Sequence, residues 1–172
     1  MERIMTQPLY KLPQRKYNFK TMPMTVAEVI GFETCADKTG KRMLGGFILP
    51  EFQRQRVWTE EQNVSLIEAI YEGFNFGSYA IILRDGIGCD NSECDGLLLD
   101  GQQRIAAILD YVNNKFPVFG FLYKDLTPAD RLRFKMTVFP RVVLATEDEG
   151  LMRDYYNRMN FSGVRHTEAE RA

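Results

Sequence analysis

The sequence predicts an α/β fold of the α+β kind, a single domain in which a small mixed sheet is flanked by helices. Three observations predict it. Short aliphatic and β-branched runs recur at 47–50, 79–83, 96–99 and 141–145, bounded by turn-forming residues. Between them lie stretches with apolar residues at helical spacing, several opened by a capping threonine. The chain of 172 residues is 45% hydrophobic and 12% aromatic, which suits one core and is too apolar for disorder. No internal repeat, linker or low-complexity tract divides it.

Taken in order, residues 1–24 read as a basic N-terminal arm. Arg3, Lys11, Arg15, Lys16 and Lys20 stand against Glu2 alone, with Pro8, Pro13 and Pro23 as punctuation. Such an arm touches nucleic acid or an acidic partner, or is a solvated tail. The domain proper is expected over 25–172. Thr25 with Glu28 makes a capping box for a short helix to Ile30, and 37–46 reads as a loop. Phe47–Pro50 is a strand, Glu51–Arg56 a polar run, and Thr59 with Gln62 caps a helix that Gly73 ends. Tyr79–Leu83 and Gly96–Leu99 are strands of a hairpin with a long tip at 85–95, and Ile105–Val112 is a helix. Phe116–Leu122 looks extended, Thr127-Pro128 opens a helix, and Arg141–Ala145 is a strand. Thr146 with Glu149 opens a helix that breaks at Asn160–Gly163, and Thr167–Glu170 starts one more.

Composition excludes several functions. With 22 Lys+Arg against 23 Asp+Glu the net charge is -1, which does not suit bulk electrostatic coating of nucleic acid, so any phosphate chemistry is local. No apolar run approaches the roughly 18 residues that cross a bilayer, and Met1-Glu2-Arg3-Ile4 lacks a secretory core. A cytoplasmic protein without membrane contact is expected. Cys35, Cys89 and Cys94 read as reduced thiols, and no second Cys pair completes a zinc site around Cys89 and Cys94. The single histidine, His166, excludes a His-Asn-His nuclease centre; with no Gly-x-Ser-x-Gly a nucleophilic triad has no footing, and Walker and dinucleotide glycine loops are absent. His166 itself is either a base, a phosphate contact or a bystander.

Polar chemistry gathers in three places. Asp100-Gly101-Gln102-Gln103-Arg104 occupies a strand-to-helix junction, where unpaired N–H groups and the helix dipole favour anions. Arg104 brings a forked guanidinium and Gln102 and Gln103 neutral amides. Asp100 beside a phosphate makes sense with a bridging cation, most naturally magnesium, or as the group that orients a water. The structural alternative is that Asp100 caps the helix and Arg104 pairs with a surface acid. Gln53-Arg54-Gln55-Arg56 repeats the pairing of amide with guanidinium, or is an exposed loop anchored by Phe52 and Trp58. Asn157-Arg158-Met159-Asn160-Phe161-Ser162-Gly163 brings a further Arg and two amides, or is an ordinary helix C-cap. Together they describe a polyanion site.

In this order the clusters resemble the DGQQR domain family of the GmrS half of GmrSD-type modification-dependent restriction systems, within the ParB/sulfiredoxin-like superfamily. The matching pieces are Ile48-Leu49-Pro50-Glu51-Phe52-Gln53-Arg54 with Val57-Trp58, Leu99–Arg104, and Tyr156–Val164. The resemblance implies a ParB-like fold that binds and hydrolyses nucleoside triphosphate with Mg2+ or another divalent cation, coupled to DNA cleavage or nicking. At the matching positions we expect Asp100, Gln103 and Arg104 to carry catalysis, with the metal at Asp100. Gln53, Arg54, Gly101, Gln102, Arg158 and Asn160 bind nucleotide, the arginines taking phosphate charge. The family usually continues into further helices or a nuclease domain, so a partner nuclease, or a regulatory or decoy role, is expected for this chain. A homo-oligomer is compatible with this. Two other readings stand beside it: a non-catalytic DNA- or protein-binding module, and an autonomous DNA nickase.

Overall fold

A computed structural model describes residue 12 and residues 14–31, 42–82, 96–146 and 148–161. Cys35, Cys89, Cys94, His166, the long hairpin tip and the segment at 167–170 lie outside these residues. The described strands form one six-stranded mixed sheet in the order β1-β6-β4-β5-β3-β2, with β1 at Phe19–Met22, β2 at Met43–Leu44, β3 at Phe47–Ile48, β4 at Tyr79–Ile82, β5 at Leu97–Asp100 and β6 at Arg141–Leu144. β4 runs parallel to β6 and β3 to β5, and the other neighbours are antiparallel. The helices are α1 (Val26–Gly31), α2 (Glu60–Glu72), α3 (Gln102–Val112), α4 (Pro128–Met136) and α5 (Glu149–Phe161).

Strand alternation decides which helix covers which face. Tyr79, Ile81 and Leu98 pack with Val26, Ile67, Ile105, Ile108, Tyr111 and Phe134, so α1 to α4 cover one face. Ala80, Ile82, Leu99 and Leu144 point the other way and meet Met152 of α5. The larger core is aromatic: the ring of Tyr111 lies edge-on to Tyr71, Tyr123 and Phe134 with centroids 6.3, 5.6 and 5.7 Å apart. Such contacts add to simple area burial.

The mixed sheet flanked by helices agrees with the expectation from sequence, and the β4–β5 pair is the antiparallel pair foreseen. Several local readings differ. Residues 19–22, expected within an arm, are the edge strand β1 against β6, and Tyr17 stacks edge-on to Tyr155 at 5.6 Å. The expected loop at 37–46 contains β2, which turns through Gly45-Gly46 to pair with β3. Phe116–Leu122 is not extended: Val118 and Phe121 exchange backbone hydrogen bonds of 2.9 and 3.0 Å around a two-residue turn in which Phe119 and Gly120 both have positive φ. At α5 the cap is Asp148, whose carboxylate accepts from the N–H groups of Gly150 (2.7 Å) and Leu151 (3.2 Å), while Thr146 Oγ1 accepts from the Asp148 N–H.

The capping box of α2 forms as its sequence requires. Thr59 Oγ1 accepts from Gln62 N–H (3.4 Å), Gln62 Oε1 accepts from Thr59 N–H (3.0 Å), and Gly73 closes the helix at φ 85°. Replacing Thr59 by Ala is expected to cost about 1 kcal/mol, a drop of roughly 2–4 °C in Tm for a chain of this size, measured by thermal unfolding.

Candidate functional site

The site is built on the junction of β5 and α3. A β-bulge slips the β4–β5 register between Ala80 and Ile81, so that Ala80 faces Asp100 at the strand end. Gly101 follows at φ 96° and is the N-cap of α3. Two constraints select glycine here. The left-handed φ disfavours a side chain, and a Cβ would stand 2.6 Å from Tyr79 Cβ and 3.1 Å from Tyr79 Cα, on the central strand β4. The first turn of α3 carries no acidic residue and no capping side chain, so its amide groups and dipole keep their positive character. That turn lines a cavity of about 210 Å³ whose other walls are Gln53, Arg54 and Trp58 from the segment before α2, and Met159 and Asn160 from α5.

Within the junction, Arg104 Nη2 donates to Asp100 Oδ2 at 2.6 Å and to the Ser78 carbonyl at 2.7 Å. The pair is largely buried, with side-chain exposures of 25% and 18%. Asp100 therefore does not cap α3; it is an anion already balanced by its neighbour, which relieves the repulsion a phosphate would otherwise meet. Gln103, expected in catalysis, lines the cavity while its amide binds backbone. Its Oε1 accepts from the N–H groups of Val57 (3.2 Å) and Trp58 (3.3 Å), and its Nε2 donates to the Gln55 carbonyl (3.5 Å). The amide thus clasps the 55–58 backbone to α3 at the cavity that Gln103 also lines.

Gln53 and Gln102 differ from Gln103. Each is 5% exposed, and each keeps a buried Oε1 without a hydrogen-bond partner among the described residues. Buried amide oxygens normally find a partner, so these two are acceptors that a ligand donor or a cation would satisfy. Arg54 sits at the rim with its side chain exposed. Its N–H donates to Tyr156 Oη at 3.3 Å, and Phe52 packs edge-on to Tyr156 at 5.5 Å, which docks the segment onto α5. Asn160 Nδ2 donates to the Tyr156 carbonyl (2.9 Å) on the same helix face.

Arg158 does not join them. Two residues from Asn160, it is turned about 200° around α5, and its Nε donates to Asp154 at 3.2 Å. Asp154 also accepts from Lys16 and Tyr17. Two cavity walls were missed in the sequence: Trp58, read there as a packing anchor, and Met159, 52% exposed. Arg42, which donates to the Gln53 carbonyl at 2.9 Å, was missed as well.

Residues 35–171 match a protein-family model, that of the GmrSD restriction endonuclease, N-terminal domain. The chain belongs to the GmrSD N-terminal domain family. Every cavity-lining residue of this GmrSD N-terminal domain lies inside the matched span. No curated protein and no solved structure matches the chain. Among the described residues no helix is long and apolar enough to cross a membrane, and no group of three or more His, Cys, Asp or Glu side chains is placed to hold a metal.

Two aspartates fasten the segments around the cavity. Burial pushes the Asp110 carboxyl up, but hydrogen bonds from Arg56 and from Lys115 (2.7 Å) outweigh it and hold the group below the usual carboxylate range. Hydrogen bonds from Lys16 and Tyr17 hold Asp154 lower still. Both folded values lie below the unfolded one, so this stability is present above pH of about 4 and is lost as the pH falls through the folded values. Acid titration of unfolding free energy is expected to decline below pH of about 4, with a shallower decline in Asp110→Asn.

Gly101→Ala combines a strained φ with a backbone-level clash and is expected to cost about 2–5 kcal/mol. At Gly73, where φ is 85° but nothing lies within 4 Å of the added Cβ, the same substitution is expected to cost only about 1 kcal/mol. Urea unfolding of the two variants reads the difference.

Proposed function

We propose that the cavity binds the phosphates of a nucleoside triphosphate, that the domain hydrolyses it, and that this turnover serves DNA cleavage in a restriction or phage-defence system. Family membership supports the restriction context and the DNA. The observation that carries the nucleotide reading is the convergence on one cavity of three segments distant in sequence, supplying Gln53 and Arg54, the Asp100–Arg104 turn, and Asn160. The donors in that set are guanidinium, amide and helix-terminal N–H groups, which are the partners phosphate oxygens take. With a net charge of -1 and so small a cavity, a compact phosphate chain suits the site better than a length of DNA backbone.

The chain's own groups divide the work. Arg54 meets phosphate from the rim, where its exposed side chain adds charge. Arg104 is held rigid by Ser78 and Asp100, so it is oriented before ligand arrives and little ordering is lost on binding. Gln53, Gln102 and Asn160 orient the ligand through neutral amides. A divalent cation fits this donor set only with ligand help. Among the described residues Asp100 is the one carboxylate on the cavity wall, and with the unpartnered oxygens of Gln53 and Gln102 it would hold magnesium whose remaining ligands are phosphate oxygens and water. Such an ion supplies charge neutralisation during phosphoryl transfer.

One observation favours a second reading, binding without turnover. The single carboxylate on the wall is already ion-paired to Arg104 and has no imidazole beside it among the described residues. Phosphate-release assays with the common nucleoside triphosphates and magnesium separate the two. Turnover is expected in wild type, reduced about 10²-fold in Asp100→Asn, with Arg54→Ala chiefly raising KM by about tenfold. Nucleotide binding without phosphate release transfers the assignment to the binding module. Absence of binding removes the assignment of the cavity.

A further inference from the structure

We infer that Trp58 is the platform on which the nucleobase of the bound nucleotide stacks, in a groove beside the phosphate cavity. This rests on the reading of that cavity as a phosphate site and extends it to the other end of the ligand. At about 210 Å³ and with mostly polar walls, the cavity falls below the roughly 300–1,000 Å³ of sites that enclose whole small ligands. A triphosphate fills it and the nucleoside remains outside. A second, more open cavity of about 580 Å³ runs along α2, and the two share Trp58 and Arg104 as common wall residues. A chain of atoms leaving the phosphates past Arg104 therefore enters the groove alongside Trp58.

The groove has the chemistry of a base site rather than of a phosphate site. Leu66, Ala69 and Phe76 give it apolar walls, while Glu61 and Ser65 place a carboxylate and a hydroxyl there for the polar edge of a ring. Arg104 is its sole cationic wall residue among the described residues. Trp58 is only partly buried, and its backbone is fixed on both sides. Its N–H donates to Gln103 Oε1 at 3.3 Å, and the next residue is the N-cap of α2. A stacking surface held this firmly loses little entropy on binding, and aromatic stacking accepts any base because every base presents a π-face. The amide clasp of Gln103 thereby acquires a purpose at the ligand: it holds the platform in register with the phosphate turn.

Trp58 is the only tryptophan of the chain, so its fluorescence reports on the groove directly. The full chain is titrated with a nucleoside triphosphate and, separately, with inorganic tripolyphosphate, by fluorescence and by calorimetry. Nucleotide is expected to bind more tightly than tripolyphosphate and to quench Trp58 more strongly. In Trp58→Ala the nucleotide affinity is expected to fall fivefold or more, a loss of roughly the size of one stacked base, with tripolyphosphate affinity unchanged; Trp58→Phe is expected to keep most of it. Equal wild-type affinities for the two ligands with equal quenching, or a Trp58→Ala loss shared equally by both, overturns the platform while the phosphate site stands. Failure of both ligands to bind wild type overturns the phosphate reading and the platform with it.

Discussion

Gly101 and Tyr79 approach so closely that no side chain fits between strand β4 and the turn leaving β5. That contact governs the rest of the site. It brings the end of β5 against the central strand, points α3 back across the sheet, and leaves the first turn of α3 with its N–H groups toward the cavity. The bulge beside it shifts Asp100 by one residue relative to Ala80, so the carboxylate meets Arg104 one helical turn on. The ion pair and the first turn of α3 both descend from one glycine.

Around that junction the molecule uses side-chain-to-backbone hydrogen bonds to hold segments that have no secondary structure of their own. The 53–58 stretch runs between β3 and α2 without a ladder, yet it carries three cavity residues. Arg42 holds its start, Gln103 its end, and Arg56 is tied to Asp110 on α3. Each bond satisfies a backbone group or charge that would otherwise need water. Rigidity in the loop is thus supplied from α3 and from the β2 side, and the Gln-Arg pairs divide between structure and ligand: Gln53 and Arg54 face the cavity, while Gln55 and Arg56 secure the loop.

How much of this was legible in the sequence depended on how local the causes were. α2 and α4 were readable because Thr59-Gln62 and Thr127-Pro128 are self-contained signals, and both helices start where those residues place them. β1 was not, because its four residues form a strand only through β6, far along the chain, and β2 was not, because two residues paired across a tight turn to two others leave no periodicity to read. The Phe119-Gly120 turn was hidden because nothing in the sequence around phenylalanine announces positive φ. At the site, the grouping of Gln53, Arg54, the Asp100–Arg104 turn and Asn160 followed from motif order. The separation of Arg158 from Asn160 was available from helical periodicity alone. The employment of Gln103 was not, since an amide that clasps backbone and one that greets a ligand are the same residues in the same place.

Helix α5 links the two ends of the described chain. One of its faces presents Asn160 to the cavity, and another presents Asp154 to Lys16 and Tyr17, just before the edge strand β1. The N-terminal segment is therefore a strut: from 138 residues away it braces the helix that forms one wall of the site. Displacing that segment would loosen, through α5, the wall that carries Asn160.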